Sequence, residues 1–418
     1  MKIHLIAIGN ELLNGKITDK NAHTLARVCQ QEGIMLERVH LIGDKKELYE
    51  DALNTASISA DVVILSGGLG PTADDLTKEI LASYYQKKLE FSDKALELTQ
   101  KQYAEKKREY DQTKLSYQIM PKSFLPIYNK VGFAPGLFYI DQKTKTAVYA
   151  LPGVPAEFKQ MLTDFVIPRS KELYPQKMHH EHFIVRTWGI PEAKIFKSID
   201  TNLWSQLSAF GEVSSLPHQW SVDIGIHLVD SNQDSIKEKK KELTGIFQDS
   251  PISEHIWQIG DLSLEQYIFD LAKKKKLKIG FAESCTSGLN ASRITDIPGS
   301  SAVMMGSLVS YSNEAKIEVL GVKENTLRKY GAVSEQCAIE MAKGAQKRLQ
   351  CDIAISTTGI KGPGGGSVEK PVGTVWVGVA TSQKTVAKTY HVPSDRLMCK
   401  RKFSEIALFT LLEEIKKA

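Results

Sequence analysis

Three side chains in the C-terminal third of the chain could together perform acyl chemistry: Ser284, Tyr311 and Lys316. Ser284 stands where a short apolar segment turns into a predicted helix. An oxyanion formed by attack of its hydroxyl on a carbonyl would be stabilised by the unpaired N–H groups and the dipole of that helix. An ordinary helix N-cap would place the same residue type at this position.

Tyr311 and Lys316 follow another apolar segment and could activate the serine. Each side chain can act as a general base when burial or a neighbouring cation lowers its pKa. The only histidine beyond position 256 is His391, which lies outside these motifs. The sequence therefore argues against a triad that uses histidine.

A glycine-rich loop follows a third apolar segment, residues 353–357, and contains Gly362, Gly364 and Gly365. Its backbone amides could approach an anion closely, as phosphate-binding loops do. A flexible surface turn would have a similar composition. Because the loop leaves directly from a buried-type strand, and sites in α/β sheets gather at the carboxyl ends of strands, the pattern favours a binding loop.

A second candidate site lies near the N terminus, where residues 61–65 form a predicted buried strand. The residues after it that allow close contact with a phosphate are Gly67, Gly68, Gly70 and Thr72. Asp74 and Asp75, predicted to lie in the following helix, suit a hard divalent cation that would neutralise phosphate charge and activate water. The two aspartates would equally favour a helix N-terminus by opposing its dipole, and the residues alone do not decide between these interpretations.

A length of 418 residues predicts roughly three domains. Buried-type strands combined with helices predict α/β domains at 1–172 and 258–418, and the alternating and lysine-rich segments between them predict a small α+β module at 176–250. No apolar run approaches the roughly 20 residues that span a bilayer. The first residues lead directly into a strand and do not resemble a signal peptide. We therefore expect a cytoplasmic protein without a membrane partner.

Charge and cysteine content exclude two further classes of site. The net charge of +5 is mild for this length, and its densest cluster, residues 273–276, lies at the end of a predicted helix where lysines oppose the dipole. Five dispersed cysteines lack the spacing of a zinc site, which indicates reduced thiols. Neither feature predicts nucleic-acid binding or a structural metal.

Five ordered segments of the C-terminal part resemble the nicotinamide-nucleotide amidase domain of the CinA (competence/damage-inducible) family. They are residues 282–286, 298–302, 311–316, 331–335 and 362–366. The resemblance implies hydrolysis of the carboxamide of nicotinamide mononucleotide to nicotinate mononucleotide and ammonia, without a cofactor. It assigns Ser284 as the nucleophile and Tyr311 and Lys316 as its activating partners.

The same resemblance places Thr358 in the substrate pocket, beside the glycine loop. It also implies an arginine for the nucleotide phosphate, since a guanidinium binds phosphate oxygens in bidentate fashion. Arg396 is the candidate, but the local sequence departs from the family pattern and leaves Arg401 open. The first of two glycines that the family carries after Ser-Cys-Thr is Ser287 here.

Three N-terminal segments, residues 9–22, 67–77 and 151–157, look like the amino-terminal domain of the CinA family. That domain is related to the molybdopterin-binding fold, a three-layer α/β arrangement, and is associated in the family with metal-dependent ADP-ribose pyrophosphatase activity. The resemblance implies ADP-ribose as a substrate and a divalent metal such as Mg²⁺ at Asp74 and Asp75. The motif fits binding of a phosphorylated ligand as well as its hydrolysis.

The family has a middle domain of KH-like topology, a fold that elsewhere binds RNA through a Gly-x-x-Gly loop. Residues 176–250 contain no such loop, so we expect a spacer or a dimerisation role, and the resemblance implies a homodimer. Two other functions stay open. One is a non-enzymatic nucleotide-binding regulatory protein linked to competence or DNA damage; the other is a pterin-binding enzyme of molybdenum-cofactor synthesis, which would leave the Ser-Tyr-Lys segments unexplained.

Overall fold

The computed structural model describes residues 1–72, 74–110, 115–175, 178–218 and 220–418. The chain divides into two compact units, Met1–Ile259 and Gly260–Ala418. Each unit mixes helices with β-sheet, which confirms the predicted α/β, multidomain class. The finer division at 1–172, 176–250 and 258–418 stays a prediction, and its boundary residue Gln176 lies outside the described residues.

The first unit begins with a six-stranded mixed sheet and a separate antiparallel pair of strands. The strands are β1 (Lys2–Ile8), β2 (Met35–Ile42), β3 (Val62–Ser66), β4 (Leu89–Phe91), β5 (Ile119–Pro121), β6 (Leu125–Ile127), β7 (Gly136–Ile140) and β8 (Ala147–Leu151). The order in the large sheet is β2-β1-β3-β8-β7-β6, and β4 pairs with β5. Because β1, β3 and β8 are parallel neighbours, their carboxyl ends meet at one edge.

Helices cover both faces of this sheet. They are α1 (Asn10–Leu13), α2 (Asn21–Gln31), α3 (Lys46–Ser59), α4 (Thr77–Tyr84), α5 (Asp93–Glu105), α6 (Pro155–Met161) and α7 (Ile167–Leu173). Alternation along β1 sends Ile3 and Leu5 into a core shared with α2 and α6, and Ile6 and Ile8 into a second core shared with α3 and α4. Two cores on opposite faces make the three layers expected of this part.

Residues that follow in the first unit form a small α+β module. Its elements are β9 (His179–Thr187), α8 (Glu192–Lys194), α9 (Leu203–Ser208), β10 (Glu212–Pro217), β11 (Val222–Asp230), α10 (Gln233–Asp249) and β12 (Ile256–Ile259). The sheet order is β10-β11-β9-β12, and every neighbouring pair is antiparallel. Buried residues alternate along β11, as expected for a sheet with one covered face. The KH-like topology of this module stays a prediction.

The second unit is built on a five-stranded mixed sheet. Its strands are β13 (Ile279–Glu283), β14 (Met304–Val309), β15 (Ile353–Gly359), β16 (Thr374–Ala380) and β17 (Thr385–His391). The order is β14-β13-β15-β16-β17. Because β13 runs parallel to both of its neighbours, the carboxyl ends of β14, β13 and β15 lie side by side. The segments that carry the predicted amidase residues follow these ends.

Six helices complete the second unit. They are α11 (Leu264–Lys274), α12 (Leu289–Thr295), α13 (Asn313–Leu320), α14 (Glu324–Tyr330), α15 (Glu335–Leu349) and α16 (Arg396–Lys417). Helix α15 approaches the end of α13 so closely that a Cβ on Gly344 would lie 1.9 Å from the Leu320 carbonyl oxygen. In the described parts of the chain, no helix is both long and apolar enough to cross a membrane.

Substituting Gly344 tests this close approach. We expect Gly344→Ala to destabilise the second unit by about 2 kcal/mol or more, because a backbone oxygen cannot move aside as a flexible side chain can. The matched control is Gly245→Ala in α10, where the added Cβ would meet no atom within 4 Å and helix propensity should improve. Thermal unfolding followed by circular dichroism measures both, and equal midpoints for the two variants would contradict the packing described.

Candidate functional site

Ser284 lies directly after β13, between the ends of β14 and β15. Its N–H donates to the carbonyl of Thr357 at 3.0 Å, and the Ser310 N–H donates to the carbonyl of Glu283 at 2.9 Å. These two bonds continue the parallel ladder beyond the strand ends, and they fix Ser284 beside the start of the segment that carries Tyr311. The serine is buried.

Helix α13 positions Lys316. Ser312 caps this helix by accepting a hydrogen bond from the Ala315 N–H at 3.1 Å. Lys316 lies in the first turn, and helical side chains lean toward the N-terminus, so its amine points back toward the residues before the helix. The lysine is only 1% exposed, although this residue type is almost never fully buried without partners.

The Lys316 amine reaches oxygen atoms from the ends of two strands. Its Nζ lies 3.1 Å from the Ser284 Oγ, 3.0 Å from the carbonyl oxygens of Ser310 and Tyr311, and 3.4 Å from that of Ser312. A neutral amine has two N–H donors and one lone pair, so it can donate to the two nearest carbonyls and accept the proton of Ser284. Burial lowers the pKa of Lys316, which favours this neutral form.

The segment after Ser284 is a turn, and the prediction that a helix begins at this residue is wrong. Helix α12 begins at Leu289. The fully buried carboxylate of Glu283 accepts hydrogen bonds from the Asn290 and Ala291 N–H groups at 3.2 and 3.0 Å. The helix N-terminus is therefore occupied by a protein carboxylate and does not face a substrate oxyanion.

The turn itself offers other donors for an oxyanion. Among the described residues, the N–H groups of Thr286 and Ser287 donate no hydrogen bond. Ser287, which stands in place of a family glycine, has a left-handed φ of 53°, and Gly288 follows with 87°. Successive N–H groups in turns of this kind form concave anion-binding nests. The turn can thus supply the electrostatic stabilisation that was expected from the helix.

Two cations lie together beside Tyr311. The Arg396 guanidinium donates to the Gly362 carbonyl at 2.5 Å and to the Tyr311 hydroxyl at 3.5 Å. The Lys361 Nζ lies 6.0 Å from the centre of the Tyr311 ring. Burial and the neighbouring Arg396 lower the pKa of Lys361, and no carboxylate in the described part of the chain pairs with either cation. We call Lys361, Arg396 and the Tyr311 phenol the cationic corner.

The structure thus brings two of the three predicted catalytic side chains into contact. The Tyr311 side chain is 63% exposed, and its phenol contacts Arg396; within the described residues it makes no hydrogen bond to Ser284 or Lys316. Its predicted role as an activating partner stays a prediction.

The other predicted residues differ in their surroundings. Thr358 is buried, and its hydroxyl donates to the Ala332 carbonyl at 2.8 Å. Gly362 contacts Arg396, and Gly364 and Gly365 lie in the same loop, exposed. Arg401 is exposed and lies five residues along α16 from Arg396, about 140° around the helix.

Sequence reasoning missed Lys361 and Glu283. Lys361 stands directly before the Gly-Pro-Gly-Gly-Gly segment, so a cation beside a phosphate-binding type of loop was a visible signal. Glu283 ends an apolar strand, where a charged residue requires buried partners or exposure. Its Oε1 accepts from the Ser307 hydroxyl at 3.0 Å in addition to the helix N–H groups.

In the first unit, a cavity of about 770 Å³ lies at the carboxyl ends of β1, β3 and β8. The predicted residues that line it are Gly67, Gly68, Gly70, Asp74 and Asp75. Asn21 holds this edge together, because its amide donates to the Ser66 hydroxyl and to the Gly153 carbonyl, both at 2.8 Å. One side chain thereby joins the first and third segments that resemble the family to Ser66, which directly precedes the second.

The two aspartates lie in a turn that precedes α4, and the prediction that they belong to the helix is wrong. The Asp75 carboxylate accepts from the Thr72 N–H at 2.9 Å and from its hydroxyl at 2.5 Å. A Cβ on Gly70 would lie 2.4 Å from Asp75, so only glycine allows the carboxylate to close the turn. Asp74 is exposed, and the neighbouring Thr72 side chain lowers the pKa of its carboxyl.

This donor set suits Mg²⁺ only together with a substrate. Among the described residues, no group of three or more histidine, cysteine or acidic side chains could hold a metal ion. Mg²⁺ usually binds through one or two carboxylates while substrate phosphates and water complete its coordination. Asp74 and Asp75, both ionisable oxygen donors on the cavity wall, fit that mode of binding.

Comparison with known proteins gives one family model for each of the two units. The model of the CinA C-terminal domain matches residues 261–415, and that of the probable molybdopterin binding domain matches residues 4–172. A CinA-like protein of Chloroherpeton thalassium is 37% identical over 432 residues and covers 100% of both chains. A putative competence-damage inducible protein of Caldicellulosiruptor saccharolyticus is 34% identical over 415 residues, 99% of both chains.

The crystal structure of competence/damage inducible protein CihA from Agrobacterium tumefaciens is also similar, with 39% identity, 36% of this chain and 92% of that chain covered, and a TM-score of 0.35. Fold and family models together define a protein that joins a molybdopterin-binding type of domain to a CinA C-terminal domain. The chain belongs to the CinA family.

Proposed function

We propose that the second unit is a serine amidase that hydrolyses nicotinamide mononucleotide to nicotinate mononucleotide and ammonia. The contact of 3.1 Å between the buried Lys316 amine and the Ser284 hydroxyl carries this proposal. A hydroxyl is a weak nucleophile until a base within hydrogen-bond reach takes its proton, and the lowered pKa of Lys316 suits it to that role. The substrate is the one that the family resemblance implies.

The reaction begins when the Ser284 Oγ attacks the carboxamide carbon and its proton passes to the Lys316 Nζ. Negative charge then develops on the amide oxygen, and the Thr286 and Ser287 N–H groups are the available donors for it. Collapse breaks the C–N bond, Lys316 returns the proton, and ammonia leaves. Water, deprotonated by Lys316, releases the acid from the acyl-serine and restores both residues.

The cationic corner supports a nucleotide substrate. Lys361 and Arg396 repel each other, and each is without a carboxylate partner in the described part of the chain. A phosphate between them would relieve this repulsion, and the planar guanidinium of Arg396 can bind two phosphate oxygens. The Tyr311 phenol lies next to both cations, and the carbonyl of the same residue accepts from the Lys316 amine. Tyr311 would therefore lie between the phosphate of the substrate and its carboxamide.

We further propose that the first unit hydrolyses ADP-ribose with a divalent metal. The cavity of about 770 Å³ falls in the range of small-ligand sites, and its glycines let the backbone approach phosphates. Asp74 and Asp75 would hold the metal, which neutralises phosphate charge and activates water when bound. A non-enzymatic nucleotide-binding protein is the alternative for both units, and it predicts binding without product. The homodimer and the cytoplasmic location stay predictions.

Replacing the nucleophile tests the amidase. We expect Ser284→Ala to lower ammonia release from nicotinamide mononucleotide by about a thousandfold or more, because the acyl intermediate cannot form. Turnover of ADP-ribose should be unchanged. The matched control, Ser292→Ala, makes the same chemical change at an exposed position of α12 and should retain full activity. Ammonia release by Ser284→Ala at the wild-type rate would refute the assignment.

The two arginines of α16 distinguish the proposed phosphate contact. We expect Arg396→Ala to raise the KM for nicotinamide mononucleotide about tenfold or more, since a charge-assisted contact is lost. The effect should be absent with nicotinamide riboside, which has no phosphate. Arg401→Ala should change neither the KM for nicotinamide mononucleotide nor that for nicotinamide riboside, because Arg401 is exposed on another side of α16. If Arg401→Ala gave the larger, phosphate-specific effect, the assignment would move to that residue.

The metal site is tested at Asp74, because Asp75 also closes the turn. We expect Asp74→Asn to reduce Mg²⁺-dependent hydrolysis of ADP-ribose at least about tenfold, with part of the activity regained at higher Mg²⁺ concentration. Asp93→Asn, at the exposed first residue of α5, is the control of equal charge change. Binding of ADP-ribose without product in the wild type would favour the regulatory alternative.

A further inference from the structure

A second cavity in the second unit lies away from Ser284. It measures about 690 Å³ and is bordered by the end of α13, the turn that leads into α14, and the outer side of α15. The close approach of Gly344 to Leu320 forms its base, and Gly321, with a φ of 72°, turns the chain along its wall. Buried apolar residues of α13, α14 and α15 pack beneath it. The cavity is thus a surface groove that lies over a buried hydrophobic core. We call it the basic groove.

Four cationic side chains line the basic groove. They are Lys323, Lys343, Lys347 and Arg348, all of them exposed. In the described part of the chain the three lysines form no ion pair. Arg348 donates one N–H to the Glu318 carbonyl at 3.1 Å, which leaves further donors of its guanidinium free for a ligand.

One carboxylate, that of Glu340, also lines the groove, but it has other partners. It accepts hydrogen bonds from the Lys323 N–H at 2.8 Å and from the Thr326 hydroxyl at 2.9 Å. Both oxygens of the Glu340 carboxylate are therefore occupied by donors at the start of α14. It does not neutralise the lysine ammonium groups, and positive charge prevails in the groove.

Helix dipoles alone do not account for this charge. Lys347 and Arg348 lie in the last turn of α15, where cations offset roughly half a negative charge at the helix end. Lys323 directly precedes α14, and the positive N-terminal end of the helix dipole disfavours a cation there. Lys343 lies one turn before Lys347, and like charges at this spacing repel each other. An anion in the groove would reduce this repulsion.

The basic groove is distinct from the amidase site. The Lys316 amine points toward the start of α13, whereas the groove lies at its end, a helix length of about 12 Å away. The two are nevertheless joined along the backbone, because the Val322 N–H of the groove turn donates to the Lys316 carbonyl at 3.1 Å.

We infer that the basic groove binds a small oligophosphate ligand, with the lysine ammonium groups as point-charge partners of the phosphate oxygens. The cavity volume lies within the range of about 300–1,000 Å³ for small-molecule sites. Specific protein–DNA interfaces bury about 600–2,500 Å² of protein surface, and four clustered cations around one cavity favour a smaller ligand. Leu320 and Ile339 give the wall an apolar part that suits the remainder of such a molecule.

The test measures binding of sodium tripolyphosphate to the full chain by calorimetry in the presence of EDTA. All proteins carry Arg396→Ala, which removes the guanidinium of the cationic corner, and they share the rest of that corner, so that their differences are independent of the proposed amidase function. We expect Lys343→Glu/Lys347→Glu to weaken binding about tenfold or more, which corresponds to about 1.4 kcal/mol. Lys273→Glu/Lys274→Glu, in the last turn of α11, makes the same charge change elsewhere and should bind within about twofold of its parent.

Far-ultraviolet circular dichroism verifies folding, and Lys343→Gln/Lys347→Gln replaces the charge-reversal variant if that protein does not fold; the expected loss is then about threefold. Equal affinity for the groove variant and its parent would overturn the inference. So would an equal loss in both double variants, which would show a general effect of net charge. Tighter binding of single-stranded DNA or RNA than of tripolyphosphate, lost in the groove variant, would identify a nucleic-acid surface and would also overturn it.

Discussion

A buried amine must have hydrogen-bond partners for its N–H groups and its lone pair, and Lys316 imposes this condition on the second unit. The carbonyl acceptors come from the loop after β14, and the partner of the lone pair is the Ser284 hydroxyl after β13. The parallel register of these two strands, the cap at Ser312 and the direction of side chains in α13 all have to agree before the contact forms. A site assembled in this way is as rigid as the sheet that carries it, which suits the proposed amidase reaction, because its proton transfer depends on a distance near 3 Å.

Some charged groups of this protein have a full set of hydrogen-bond or ion-pair partners, and others do not. We use this difference to assign structural and functional roles. Glu283 is fully buried, yet its oxygens accept from two helix N–H groups and a serine, and we assign it a structural role. Lys361 and Arg396 lie side by side without a carboxylate partner in the described part of the chain. An arrangement that costs free energy in the absence of a ligand persists where function requires it. By the same comparison, Glu340 has hydrogen-bond donors for both of its oxygens, whereas the lysines of the basic groove have no carboxylate partner in the described part of the chain.

The sequence predicts the strands of both sites and the edge at which their residues meet. Apolar segments before Ser284 and Gly67 indicate buried strands, and the carboxyl ends of parallel strands lie together. The turns are less predictable, because they depend on side chains that act across the fold. Helix α12 starts late owing to a carboxylate from the preceding strand, and Asp75 turns back toward Thr72. Lys361 and Arg396 are 35 positions apart, so no local pattern reveals that they are neighbours.

The contacts of Asn21 require an amide side chain at this position. Its two N–H donors serve Ser66 and Gly153, which belong to different segments of the sequence. Aspartate has no donor to offer when ionised, and glutamine places its amide one carbon farther away. Spontaneous deamidation of Asn21 during storage would therefore set a carboxylate against a carbonyl oxygen at the rim of the cavity. An ageing preparation would then lose the Asn21 contacts that hold this edge of the cavity, whereas the Lys316 contacts of the second unit would be unaffected.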